Sequence, residues 1–315
     1  MKINRDLSIK KLTLLIFLSI YIIFLIVTAV NLYSYSRYEF NKTEKLIKNF
    51  NLSLSTQITQ KLDNIIDVSK YPLIIPDIEK LNTTLSNNNT YDIEQYNYLL
   101  YLCDMMLIQN KTINGAYIFN LNGNGVYTAR NNNNDLLKNP FHEKWFNTAV
   151  DSSNQVEIFS NFNATNVFRD TTKDDENLIA ITRKIIDIKS QKTTGILLLT
   201  FSTDELLSLL TSDIPFNNEA VYLYDSENNL IIGTDDAEHQ YNYSEYINQS
   251  STIPELVYSK DNEKHIVCYN NLQSSDWTII NTIPKDDAYH IDVLYLLFFL
   301  SNLIFCLILF IVIYL

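Results

Sequence analysis

The sequence predicts an α+β protein: two small mixed modules in tandem, hung on one long N-terminal helix and flanked by two membrane-spanning helices. Three observations predict it. Long apolar runs stand near both ends of the 315-residue chain. No Gly or Pro occurs between residues 12 and 71. Beyond that stretch, pairs of strand-like segments joined by turn residues occur twice in succession.

The first apolar run, residues 12–32, is broken only by Thr13, Ser19, Thr28 and Asn31. As a helix it is about 31 Å long, matching a hydrocarbon core of about 30 Å. It exceeds the length of a signal-peptide core, and no small-x-small cleavage site follows, so an uncleaved helix is favoured over a signal peptide. Residues 293–315 form the second run and carry no charge. Lys2, Arg5, Lys10 and Lys11 crowd the N-terminal tail against the single Asp6, which places that tail in the cytoplasm. Two spans then return the C-terminus to the cytoplasm and leave residues 33–290 outside a multi-pass cell-membrane protein.

The expected divisions are a tail (1–11), a first span (12–32) and the exposed part of the long helix (33–70). A membrane-distal module (71–211), a membrane-proximal module (212–290) and a second span (291–315) follow. The net charge is −12, of which residues 34–290 carry −14. So acidic a domain excludes nucleic acid as a partner, since phosphate binding needs a cationic face. Cys103 and Cys268, in apolar stretches 165 residues apart, read as buried thiols rather than a disulfide framework. Asn-x-Ser/Thr triplets at Asn41, Asn82 and Asn163 arise by chance in a chain this rich in Asn.

Leu46, Phe50, Leu54, Ile58, Leu62 and Ile65/Ile66 recur at helical spacing beyond the first span, until Tyr71-Pro72 stops the helix. That stripe needs a cover, either the domain's own sheet or a second copy, and dimerisation is the natural inference. A second helix over 91–108 follows Asn89 and Thr90 as caps, with Asp92 and Glu94 in its first turn. Strands over 113–121 and 126–130 flank the hairpin signal Asn122-Gly123-Asn124-Gly125. A short helix over 141–150 follows Pro140, with a strand over 156–159. Strands over 178–188 and 195–201 pair across the polar turn 189–194. Thr203-Asp204-Glu205 caps a helix over 206–211. In the second round, strands over 220–225 and 230–233 form a hairpin, 234–260 reads as loop and helix, and 264–269 pairs with 277–283.

The search for chemistry is mostly negative. The five glycines, Gly115, Gly123, Gly125, Gly195 and Gly233, form no phosphate loop. His142-Glu143 lacks the second histidine of a zinc-protease helix, and His239, His265 and His290 stand apart from it. Asp174-Asp175-Glu176 lacks the alternating oxygens of a calcium loop. No Ser stands in a nucleophile elbow, and neither Cys103 nor Cys268 sits in a nucleophile motif. No cofactor, metal or catalytic role is expected. What remains is aromatic: Tyr117, Phe119, Tyr127, Trp145, Phe146 and Phe168, with Arg169, Asp170 and Arg183 near them in sequence. These residues can line a small-molecule pocket, and each ring taken singly can equally be core.

Four stretches carry a family resemblance: the long helix, INGAYIFNLNGNGVYTA (113–129), HEKWFNTAV (142–150) and LIAITRKIIDIKSQKTTGILLLTFSTDELL (178–207). With VYLYDSENNLIIG (221–233) and WTIINTIP (277–284) they are spread along nearly all of residues 34–290. Their order between two spans resembles the double Cache sensor region of bacterial transmembrane receptors, most closely that of Gram-positive sensor histidine kinases. The resemblance implies two tandem PAS-like (Cache) modules and an extracellular small-molecule-sensing region of a signal-transduction receptor. Chemoreceptors and cyclic-di-nucleotide synthases share this region. It also implies a ligand in the distal module bordered by Trp145 and Phe146. The family's amino-acid binders carry an Arg two positions before the Trp and an Asp near the end of the last distal strand, where this chain has Glu143 and Thr200. A sugar or other neutral solute is therefore expected rather than a free α-amino acid. No phosphoacceptor or ATP-binding module lies within the 315 residues, so the output domain is expected to be absent from this chain. Two other readings compete. A surface interaction module would show the aromatics of 113–183 as core without a cavity, and an exported hydrolase would need a nucleophile or metal cluster.

Overall fold

The computed structural model describes residues 3–74, 81, 85, 93–130, 136–169, 177–187, 189–216, 218–234, 255–258, 264–288 and 293–314. Helix α1 (Ile3–Val68) is unbroken over 66 residues, the consequence of a stretch with no helix breaker. It includes the whole apolar run and is long and apolar enough to cross a bilayer. It ends at a turn and the short 3-10 helix Tyr71–Ile74, where Pro72 lacks the amide that would continue it.

Helix α2 (Ile93–Gln109) precedes β1 (Gly115–Asn120) and β2 (Gly125–Ala129). Helix α3 (Lys144–Asp151), β3 (Val156–Phe162), β4 (Leu178–Ile186), β5 (Thr193–Ser202) and α4 (Asp204–Leu210) complete the distal module. Its sheet is antiparallel in the order β2-β1-β5-β4-β3. The proximal module holds β6 (Ala220–Tyr224), β7 (Leu230–Gly233), β8 (Glu255–Tyr258), β9 (Lys264–Asn271) and β10 (Thr278–Pro284). Its order, β7-β6-β10-β9-β8, repeats the distal pattern strand for strand. Helices α5 (Lys285–Ala288) and α6 (Val293–Tyr314) follow, α6 having 22 residues and no charged side chain.

The core explains why α1 holds both modules. Leu54, Ile58, Leu62, Ile65 and Val68 join Ile118, Ile181 and Leu199 of the distal sheet and Leu223 and Ile279 of the proximal sheet in one cluster. Ile47 packs lower down against Ile266, Cys268 and Ile283. The stripe is thus covered by the chain's own sheets and does not require a second copy. Its register also differs from expectation at the lower end: Leu46 is 42% exposed, and Ile47 is the buried residue.

Other corrections are local. Thr203 does not cap α4 through its side chain; its hydroxyl donates to the Asn177 carbonyl instead. Strand β8 lies inside a stretch expected to be loop and helix, because pairing with β9 overrides a short local signal. Strand β3 runs on to Phe162, past a bulge. The β1–β2 hairpin turns as expected, with Asn120 Oδ1 accepting from the amides of Asn122 and Asn124 and Gly123 at φ +76°. Cys103 and Cys268 are buried and form no disulfide. The caps Asn89 and Thr90, the triplet at Asn82, the acidic run 174–176, His239 and His290 lie outside the described residues.

Candidate ligand-binding site

Strand alternation gives the distal sheet two chemically distinct faces. Ala116 and Ile118 of β1 and Leu197 and Leu199 of β5 face α1, whereas Tyr117, Phe119, Ile196 and Leu198 face away from it. Helix α3 and the segment Phe162–Phe168 cover this second face. A 3-10 turn over Pro140–His142 starts α3, and Asn139 Oδ1 accepts from the Phe141 amide to hold it. The spacing Trp145, Phe146, Ala149 then puts one helical face against the sheet.

The rings interlock edge to face, the arrangement their quadrupoles favour. Phe119 meets Trp145 at 5.9 Å and Phe146 at 6.2 Å, and Trp145 meets Phe162 at 5.7 Å. Phe168 meets Tyr127 at 5.2 Å and Tyr117 at 5.9 Å, while Tyr117 and Tyr127 stack across β1 and β2. Trp145 Nε1 donates to the Asn166 carbonyl at 3.4 Å. Around the rim, Lys138 Nζ pairs with Glu143 Oε1 at 2.7 Å, and the Lys138 amide donates to the Val167 carbonyl.

A cleft of about 640 Å³ opens beside these rings, lined by Leu85, Ile93 and Tyr96, the hairpin tip Gly123–Gly125, the segment Leu137–Asn139, and Arg169. Its size is that of ordinary small-molecule sites, roughly 300–1,000 Å³. The structure therefore sorts the expected site residues into five groups. Tyr117, Phe119, Trp145, Phe146 and Phe168 are brought together, but as core: none is more than 5% exposed. Tyr127 packs against them while partly exposed. Among the described ones, Arg169 alone reaches the lining of the open cleft. Asp170 lies outside the described residues.

Arg183 is a correction. It occupies the α1-facing register of β4 together with Ile181 and Ile185, so the sheet separates it from the rings. Its Nε donates to Ser69 Oγ at 2.6 Å and its Nη2 to the Ile66 carbonyl at 3.4 Å, closing the C-terminal end of α1. Burial pulls the guanidinium's pKa down, and the nearby Asp67 pulls it up. Residue parity within β4 carried this information. Phe162, Val167 and Leu198, which complete the ring cluster, carried no such signal, because their contacts come from distant segments. Thr200 is buried on the same side of β5 as Leu198, and Glu143 is held by Lys138 at the rim.

No protein-family model and no curated protein sequence matches the chain. Solved structures do match in fold. The sensory domain of Campylobacter jejuni chemoreceptor Tlp3 superposes with a TM-score of 0.60 at 12% identity, covering 81% of this chain and 98% of that one. The ligand-binding domain of the same receptor, solved with L-valine, gives 0.59 at 13% identity over 81% and 98%. An extracellular domain assigned to a histidine kinase, rpHK1S-Z16, gives 0.55 at 12% identity over 78% and 96%. At these identities the likeness is one of architecture: the chain has the fold shared by sensory domains of chemoreceptors and an extracellular domain of a histidine kinase.

Proposed function

We propose that this chain is the extracellular small-molecule-sensing region of a transmembrane signal-transduction receptor, of sensor histidine kinase type, with a double Cache architecture and no catalytic role of its own. The observation that carries the reading is α1: one unbroken helix leads from the apolar run to the distal sheet, where Arg183 ties its end. A shift of that sheet thus has a rigid path to the bilayer. The shared fold of ligand-binding receptor domains supports it. In this reading α6 is a second span, both termini are cytoplasmic, and the receptor works as a homodimer. The exposed row Tyr98, Tyr101 and Ile108 on α2 favours such pairing.

The ligand enters through the cleft bounded by Arg169 and Leu137 and rearranges the ring cluster beneath. With Glu143 already neutralised by Lys138, a small neutral solute suits the site better than a zwitterion. The test is thermal unfolding of the full chain in lipid nanodiscs against sugars, amino acids, organic acids and peptides. A ligand at a hundredfold excess over Kd adds about 2.7 kcal/mol of stability. A neutral solute as the stabilising class supports the proposal, an amino acid overturns the ligand assignment, and no stabilisation by any class overturns sensing. The closed packing of the rings favours a second reading, a non-sensing surface interaction module, which that last outcome would support.

A further inference from the structure

Beneath the proximal sheet lies a set of buried polar groups that the distal site does not use. Glu219, just before β6, is 7% exposed and Asn281 of β10 is fully enclosed. Asn281 Nδ2 donates to Glu219 Oε1, and the Phe216 amide donates to Oε2 at 3.2 Å. Asn281 stands opposite Cys268 in the β9–β10 register, on the face that meets α1. From α1, Asn51, 1% exposed, faces the Cys268 thiol. Among the described residues, neither polar atom of its carboxamide makes a hydrogen bond of ordinary geometry, and Asn281 Oδ1 is likewise unpartnered. Buried polar groups are almost always satisfied, so three such atoms at one interface mark a place where a second arrangement can do better.

We propose that Glu219 is a proton-binding site that sets how α1 seats on the proximal sheet, which makes this module a sensor of external pH. With the carboxyl protonated, the observed packing holds a neutral group against Asn281. Loss of the proton places a negative charge in an apolar interface with two donors, Asn281 and the Phe216 amide. On α1, the Asn51 carboxamide, now set against the Cys268 thiol, is a donor and Lys48 a cation acting on the same thiol, so a shift of α1 that carries them toward Glu219 favours the charged form. Burial pushes the Glu219 carboxyl up to about 7, against the bonds from Asn281 and Phe216 that lower it. The change of charge therefore falls in the neutral range.

Among the described residues, the other charged groups around this interface are few. On α1, Glu44 and Lys48 flank Ile47. On α5, Asp287 accepts from Asn218 Nδ2 at 3.0 Å, beside Lys285 and Asp286. On β9, Cys268 is held protonated by burial. His265 occupies the opposite face of β9. Among the described residues, Glu219 is thus the buried carboxyl at this interface that Asn281 and the Phe216 amide hold.

The proposal needs no distal ligand, so its failure leaves the receptor reading standing. The test uses the full chain in nanodiscs, with spin labels at the exposed positions Ser53 and Glu227 in a Cys306→Ser background. Inter-label distances are measured from about pH 5.5 to about 8.5. The expected result is a transition between two distance populations centred near pH 7, with Glu219→Gln locked in the acid population throughout. A pH-independent wild-type distance, or the same transition in Glu219→Gln, overturns it. Should Glu219→Gln fail to fold, infrared titration of the wild type decides. A buried carboxyl band that persists at about pH 6 and disappears by about pH 8 supports the proposal, and its absence at about pH 6 overturns it.

Discussion

Phe119 is completely enclosed, with Trp145 and Phe146 against its ring. Truncating it leaves a cavity that neighbours on three separate segments cannot collapse to fill. Phe119→Ala should cost about 3–5 kcal/mol in denaturant unfolding of the full chain. Glu219 has the opposite signature, because its folded form holds a proton more tightly than the unfolded chain does. Below its ordinary value of 4.5 both states are protonated and it costs nothing; as pH rises from 4.5 through about 7 the folded state loses stability relative to the unfolded one. The full effect is about 3 kcal/mol, and Glu219→Gln should flatten that stretch of the stability–pH curve. At this scale the sequence was only partly readable. Period two along β1 told which residues share a face, but not whether Trp145 and Phe168 would close over that face or line an opening. A glutamate before a strand looks like an ordinary solvated residue, and nothing local announces that Asn281, 62 residues on, will bury it.

Among elements, α1 was the most legible, since a stretch free of Gly and Pro with recurrent apolar residues has few alternatives to a helix. Its register was less so. Asn51 and Ser55 occupy positions on the buried stripe where an apolar residue is expected, and they blur the boundary at Leu46 and Ile47. The tie between α1 and β4 is encoded in strand parity, which puts Arg183 on the α1 side with Ile181 and Ile185. Arg183→Ala removes the donors to Ser69 Oγ and to the Ile66 carbonyl, which then keeps only its bond from Ser69 Oγ among these side-chain donors. It should cost about 1–3 kcal/mol and raise amide hydrogen exchange selectively over the last turns of α1, with little change in β10. Strand β8 escaped because four residues give too short a pattern, and its identity depends on β9.

At the scale of the whole molecule, two sheets with the same strand order share one helix as their common support. Turn chemistry at 122–125 and 226–229 was enough to predict two modules, while the identity of the proximal module's remaining strand, β8, came only from long-range pairing. Salt links and hydrogen bonds reinforce the assembly: Lys61 to Glu205 at 2.7 Å, Ser160 to Asp225 at 2.8 Å and Asp63 to Ser274 at 2.6 Å connect α1, the distal module and the proximal module. A molecule joined in this way transmits displacement as a body, provided ligand binds the two arrangements with different affinity. The most direct measurement is the distance between spin labels at Asn41 on α1 and Leu297 on α6, in the full chain in nanodiscs, with and without a solute that stabilises it. A ligand-dependent change in that distance, reduced in Arg183→Ala, is the predicted result. An unchanged distance at saturating ligand would contradict the account.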